Sequence, residues 1–165
     1  MALSILFITS CSKDDDNNNS SSTNSYTYNG EISEIKFAGI VDHTVGYEIT
    51  LSPTVVPDCF DYNSDFFHLI LPIEKLGLKC NLNEDNRGGT VLFEGFFFNN
   101  NTQYSFISTN ETDRGDDITG TNNWVKVTKN SGTNNFTVAF EMTIGGKLLK
   151  GSYTGVFKDA STCGK

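Results

Sequence analysis

The chain has 165 residues, with 12 Lys and Arg against 20 Asp and Glu, a formal net charge of -8. Nucleic-acid backbones are held by basic side chains that neutralise phosphates, so this balance argues against nucleic acid as a partner and also against docking on anionic lipid head groups. Aromatic residues make up 12%, with 13 Phe and 6 Tyr, and Asn, Gly, Ser and Thr fill the gaps between apolar runs, a composition that favours strands joined by turns.

The chain opens on a short apolar run, Leu3 to Ile8, followed by Thr9-Ser10-Cys11. A membrane span needs about 20 residues, whereas the apolar core of a secretory signal runs to about 7–15. Residues 1–10 therefore read as a signal peptide. The absence of Lys or Arg before Lys13 points to a truncated start. Phe7-Ile8-Thr9-Ser10-Cys11 resembles the lipobox of bacterial lipoproteins. That resemblance implies that Cys11 becomes the first residue of the mature protein and carries acyl chains. Each buried methylene contributes about 0.8 kcal/mol, and stable anchoring takes more than one chain. Ser12-Lys13-Asp14-Asp15-Asp16 resembles the export tag of surface-exposed lipoproteins of the Bacteroidetes. The resemblance implies a lipid-anchored outer-membrane protein facing the cell exterior. Without the cysteine in front of it, the same cluster would read as a solvated charge run.

Asn17 to Ser25 contains no apolar residue, so nothing offsets the entropy of ordering it. Residues 11–25 read as a lipidated cysteine and a flexible tether, reaching about 45 Å at most. Residues 26–165 read as one β domain.

About eight strands follow. Glu31 to Val41 comes first, then Tyr47 to Leu51, which stops at Pro53. Phe66 to Leu71 and Thr90 to Phe98 are apolar on both faces and read as central. Ile73 to Leu76 forms at most a single turn after Pro72. Gln103 to Ser108 is short, and Trp124 to Thr128 alternates. Phe136 to Ile144 puts Phe136, Val138, Phe140, Met142 and Ile144 on one face. Gly145-Gly146 closes a hairpin onto Lys147 to Phe157. There Leu149, Gly151, Tyr153, Gly155 and Phe157 share a face, and its glycines suggest a bend or a close approach. The architecture expected is a single antiparallel β-sandwich or an up-and-down, lipocalin-like barrel. Trp124 onward, with Gly151-Ser152-Tyr153-Thr154-Gly155, resembles the closing strands of small Bacteroidetes lipoproteins in families without assigned function.

Cys59, Cys80 and Cys163 remain once Cys11 is assigned to lipid. An exported protein meets oxidising surroundings, so one disulfide and one free thiol are expected, with the pairing open. His43 and His68 stand alone, and His68 reads as a hydrogen-bonded strand residue.

Several groups are candidate sites. Arg114-Gly115-Asp116 spells an integrin-binding tripeptide in a loop whose composition is that of any turn. Glu111, Asp113, Asp116 and Asp117 offer oxygen ligands for calcium, and Asn81, Asn83 and Asp85 form a second polar run. Neither matches a calcium-loop pattern, so a solvated acidic loop is the plainer reading and no cofactor is expected. Phe96-Phe97-Phe98 puts rings on both sides of a strand: either both faces are buried, or an outer ring joins Trp124 or a tyrosine in a sugar-stacking platform. Phe97, Trp124 and Tyr153 are the stacking candidates. Glu94 and Glu141 are the only carboxylates that suggest a glycosidase pair. With no nucleophile or phosphate-loop motif, the expectation is a non-enzymatic binding or structural module for a glycan or protein. A lipocalin-like carrier and a sandwich-fold glycoside hydrolase are the alternatives.

Overall fold

The computed structural model describes residues 24–55, 65–83, 91–108 and 118–162. Cys11, the Ser12 to Asp16 cluster, Cys59, Cys163, Asp85 and the candidate loop with Glu111, Asp113, Arg114, Gly115, Asp116 and Asp117 lie outside them. The described residues form twelve strands. The first six are β1 (Ser25–Tyr28), β2 (Glu31–Glu34), β3 (Phe37–His43), β4 (Gly46–Ser52), β5 (Phe66–Pro72) and β6 (Lys79–Asn81). The rest are β7 (Leu92–Asn99), β8 (Thr102–Ile107), β9 (Ile118–Lys129), β10 (Asn135–Ile144), β11 (Lys147–Val156) and β12 (Lys158–Asp159). The expected turn after Pro72 is a 3-10 turn over Ile73–Lys75.

The strands make two open six-stranded sheets, ordered β2-β1-β11-β10-β9-β6 and β12-β3-β4-β5-β7-β8. Pairing is antiparallel throughout except between β12 and β3. The protein is a β-sandwich; the barrel alternative is corrected, because among the described residues the strands form two separate sheets, neither of which closes on itself. The interior between the sheets is filled by one aromatic-rich cluster drawn from both. Phe67 of the second sheet lies 5.2 Å from Phe140 of the first, Tyr28 lies 4.7 Å from Phe97, and Tyr47 5.3 Å from Phe136. Burying each such ring contributes about 1.5–3 kcal/mol.

The alternation expected on β10 is present: Phe136, Val138, Phe140, Met142 and Ile144 are all buried. Gly151 faces Phe140 across the β10–β11 ladder, and a Cβ there would stand 2.4 Å from the Phe140 ring. The glycine is the close approach that the sequence suggested.

Two boundaries differ from expectation. Ser25 opens β1, and the Asn24 carbonyl accepts from Ile35 N–H at 2.8 Å, so the last tether residues belong to the domain. The expected strand Glu31 to Val41 is two strands, because Ile35-Lys36 carries the chain from one sheet to the other. Lys36 N–H there bonds the Ser52 carbonyl of the second sheet at 2.9 Å.

Candidate functional site

The outer face of the second sheet combines apolar rings with a hydrogen-bonded row of titratable groups. On β5, Phe67, Leu69 and Leu71 point into the core, which turns Phe66, His68 and Ile70 outward. On β7, Phe93, Gly95 and Phe97 point inward, which turns Glu94, Phe96 and Phe98 outward. Register aligns these across strands: Thr50, His68, Glu94 and Ile107 are successive neighbours, and Phe66, Phe96 and Ser105 form the adjoining line.

His68 sits between two carboxylates. Its Nδ1 is 3.0 Å from Glu94 Oε1 and its Nε2 is 3.0 Å from Glu48 Oε1. A neutral imidazole donates to one of them and an imidazolium to both. The second oxygen of Glu48 lies 3.3 Å from His43 Nε2, so the two histidines, read from sequence as isolated, share one carboxylate. Burial alone would raise the Glu48 pKa, but hydrogen bonds from His68 and His43, with their charge, hold the carboxyl below its ordinary range. The His68 ring is mostly covered, at 18% exposure.

Beside this row the rings of Phe66 and Phe96 meet edge to face at 5.4 Å, and Phe96 meets Phe98 at 5.5 Å. Phe98 is 47% exposed. A shallow groove of about 310 Å³, open to solvent, runs along Phe66, Glu94, Phe96, Ser105 and Ile107 with Gly95 and Phe106 as its floor. Rings beside a few fixed polar groups are the composition of a ligand site. Each carboxylate of the row is engaged by an imidazole. Among the described residues, no three His, Cys, Asp or Glu side chains converge on a metal position.

The stacking candidates are not brought together. Phe97 is corrected to a core residue: it is 0% exposed, edge-on to Tyr28 and stacked on Tyr104 at 5.5 Å, because the middle ring of an alternating strand faces opposite to its neighbours. Tyr153 also faces the core side, packing 5.1 Å from Phe157, and burial raises its phenol pKa. Trp124 alone lies on an outer surface, that of the first sheet, since its neighbours Asn123 and Val125 are buried. The exposed Phe98 and Trp124 are thus on opposite sides of the molecule and form no common platform.

The glycosidase pair is likewise corrected. Glu94 projects from the second sheet, while Glu141 lies between the buried Phe140 and Met142 and projects outward from the first. The core separates them, so they share no cleft. Asn81 and Asn83 of the polar run make hydrogen bonds within the fold. Asn81 Oδ1 accepts from Asn83 N–H at 2.9 Å, and Asn83 Nδ2 donates to the Gly120 carbonyl at 2.8 Å. Cys80 packs half-buried against the core, and no disulfide joins described residues.

The sequence reading missed Asn123. It is 1% exposed and fills the bulge where the β9–β10 register shifts. Its Oδ1 accepts from Thr143 N–H at 2.7 Å, and its Nδ2 donates to Asn83 Oδ1 and the Thr119 carbonyl, both at 3.0 Å. No protein-family model matches the chain, and neither a curated protein nor a solved structure matches it.

Proposed function

We propose that the chain is a cell-surface lipoprotein, held at the outer membrane by acyl chains on Cys11, whose sandwich is a non-catalytic module that binds a neutral saccharide on the outer face of its second sheet. The lipobox-like Phe7 to Cys11 and the acidic Ser12 to Asp16 cluster support the anchoring. The observation that carries the binding reading is the exposed Phe98, set against Phe96, beside the fixed Glu48–His68–Glu94 row. A sugar has C–H faces that lie on rings and hydroxyl edges that bond to imidazole and carboxylate, so its chemistry alternates as this surface does. Glu48 and Glu94 repel anions, which favours a neutral ligand.

Affinity electrophoresis in gels containing neutral polysaccharides tests the binding. The expected result is retarded migration with at least one of them, abolished by Phe98→Ala and reduced by His68→Ala, with both variants melting cooperatively. Unretarded migration across β-glucan, xylan, mannan and starch overturns it. For the anchoring, Cys11→Ala is expected to move the protein out of the membrane fraction; unchanged retention rejects it.

A further inference from the structure

The outward face of the first sheet carries three lysines, Lys79, Lys126 and Lys150, against Glu141 and, at the far edge, Glu34. Asn81, Trp124, Glu141 and Lys150 lie side by side across β6, β9, β10 and β11. The adjoining line is Lys79, Lys126, Ala139 and Ser152. The only Trp of the chain is therefore framed by three lysines in a protein whose net charge is -8. Lys79 Nζ lies over the Trp124 ring, 4.2 Å from the indole centroid, a cation–π contact on the ring face. Glu141, between Trp124 and Lys150, is already engaged: Asn122 Nδ2 donates to it at 2.7 Å, and Lys150 Nζ lies 3.8 Å away. Ala139 and Ser152 are short, which leaves the sheet low beside Lys126.

We infer that this face is a second binding surface, for an acidic saccharide whose carboxylates meet Lys79, Lys126 and Lys150 and draw the Lys79 ammonium from over the indole, so that a ring C–H face lies on Trp124. The indole supplies the flat apolar contact that a sugar ring uses and a simple anion does not. The ammonium groups are distributed around it, as a polymer with a charge on every ring requires. Strands stand about 4.8 Å apart and rise about 3.4 Å per residue, so Lys126 and Lys150, two strands and two residues from each other, span about 12 Å, a fit to an oligosaccharide instead of a single sugar. An anionic membrane is the poorer partner, because three lysines do not offset the acidic remainder of the surface once the chain approaches a charged plane. This surface is distinct from the groove beside Phe96 and Phe98, which lies across the core from it.

Trp124, being the only tryptophan, reports on its own site. The full chain with Cys11→Ser, which removes the lipid attachment, is titrated with oligogalacturonate. The expected result is a saturable change in Trp124 fluorescence that weakens as NaCl is raised. Lys126→Ala and Lys150→Ala each weaken binding about fivefold without changing the melting temperature. Trp124→Ala abolishes retardation in gels containing polygalacturonate. Phe98→Ala leaves uronate binding unchanged, so loss of the neutral-sugar site and loss of this one are told apart. No fluorescence change with no retardation overturns the inference. Equal affinity for the fully methyl-esterified polymer also overturns it, since charge would then play no part. Tighter binding to phosphatidylserine vesicles than to oligogalacturonate overturns it in favour of a membrane partner.

Discussion

The hydroxyl of Tyr26 on β1 donates to the Asp65 carboxylate at the head of β5, tying the two sheets together at one end of the sandwich. The other Asp65 oxygen accepts from Phe98 N–H at 3.0 Å, and the Asp65 carbonyl accepts from Ser52 Oγ at 2.7 Å. One residue thus fixes the starts or ends of four strands, including the end of β7 that presents Phe98.

Removing the hydroxyl tests that junction. Tyr26→Phe is expected to lower stability by about 1 kcal/mol at neutral pH, the net value of such a bond. Burial first, and the Asp65 bond second, raise the Tyr26 pKa well above the ordinary 10.0. A raised pKa means that the contribution is complete below pH 10 and declines as pH rises further. Urea midpoints of the native protein and Tyr26→Phe should therefore converge between pH 10 and higher pH. A gap that stays constant across this range contradicts the assignment.

Acid acts on a different group. The lowered pKa of Glu48 means that its contribution is complete above its ordinary value of 4.5 and is lost as pH falls through the folded value. Glu48→Gln should lose less of its melting temperature than the native protein between neutral pH and pH 3. The side chain is 41% exposed, so the difference is small and shrinks with added salt. An identical acid profile in the two proteins rejects the linkage.

Asn123 substitutes for a stretch of sheet ladder. Asn123→Leu strips Thr143 N–H and the Thr119 carbonyl of their side-chain partner in a buried setting. The expected loss is about 2–4 kcal/mol, since unsatisfied buried groups cost about 1–3 kcal/mol each and compensation is partial. Asn123→Asp keeps the acceptor for Thr143 but faces a carboxylate toward two carbonyls, and should be no better. Chemical denaturation measures both; a loss below about 1 kcal/mol would show that water replaces the amide.

Gly151 and Phe140 make a packing test. Gly151→Ala sets a methyl 2.4 Å from the Phe140 ring, and overpacking of this kind costs about 1–3 kcal/mol. Adding Phe140→Leu should recover part of that loss in a double-mutant cycle, because the two residues share the same space. Additive effects would mean that the strain is relieved elsewhere.

The sequence made the long strands legible and the short ones not. β10 and β11 follow from the alternation of Phe136 to Ile144, the Gly145-Gly146 turn and the alternating face of the returning strand. β1 is not legible and β2 merges with β3, although Asn29-Gly30 announces the β1–β2 hairpin: Asn29 and Gly30 both have positive φ, at 50° and 86°, as a two-residue turn requires. Four-residue strands give too little alternation to outweigh the polar run before them. In the Phe96 to Phe98 run, period two separates the rings between faces but not which face is inside. That depends on Gly95, which faces Phe106 and Phe67 where no side chain fits. The Glu48–His68–Glu94 row was illegible for another reason. Its members come from three strands, and only the register sets His68 opposite Glu94 and diagonal to Glu48.

The pairing of β1 with β11 ties the start of the domain to its end. Thr154 N–H bonds the Asn24 side chain from 130 residues away at 2.9 Å. The first sheet therefore cannot be finished while the chain is still being made: β1 has to wait for Lys147 to Val156 before its inner edge is covered. Such distant closures fold slowly. A chain emerging N-terminus first keeps one edge of β1 open to an unfolded-chain handler until nearly all of it is present, and any truncation before Lys147 should leave that edge uncovered and the domain unfolded.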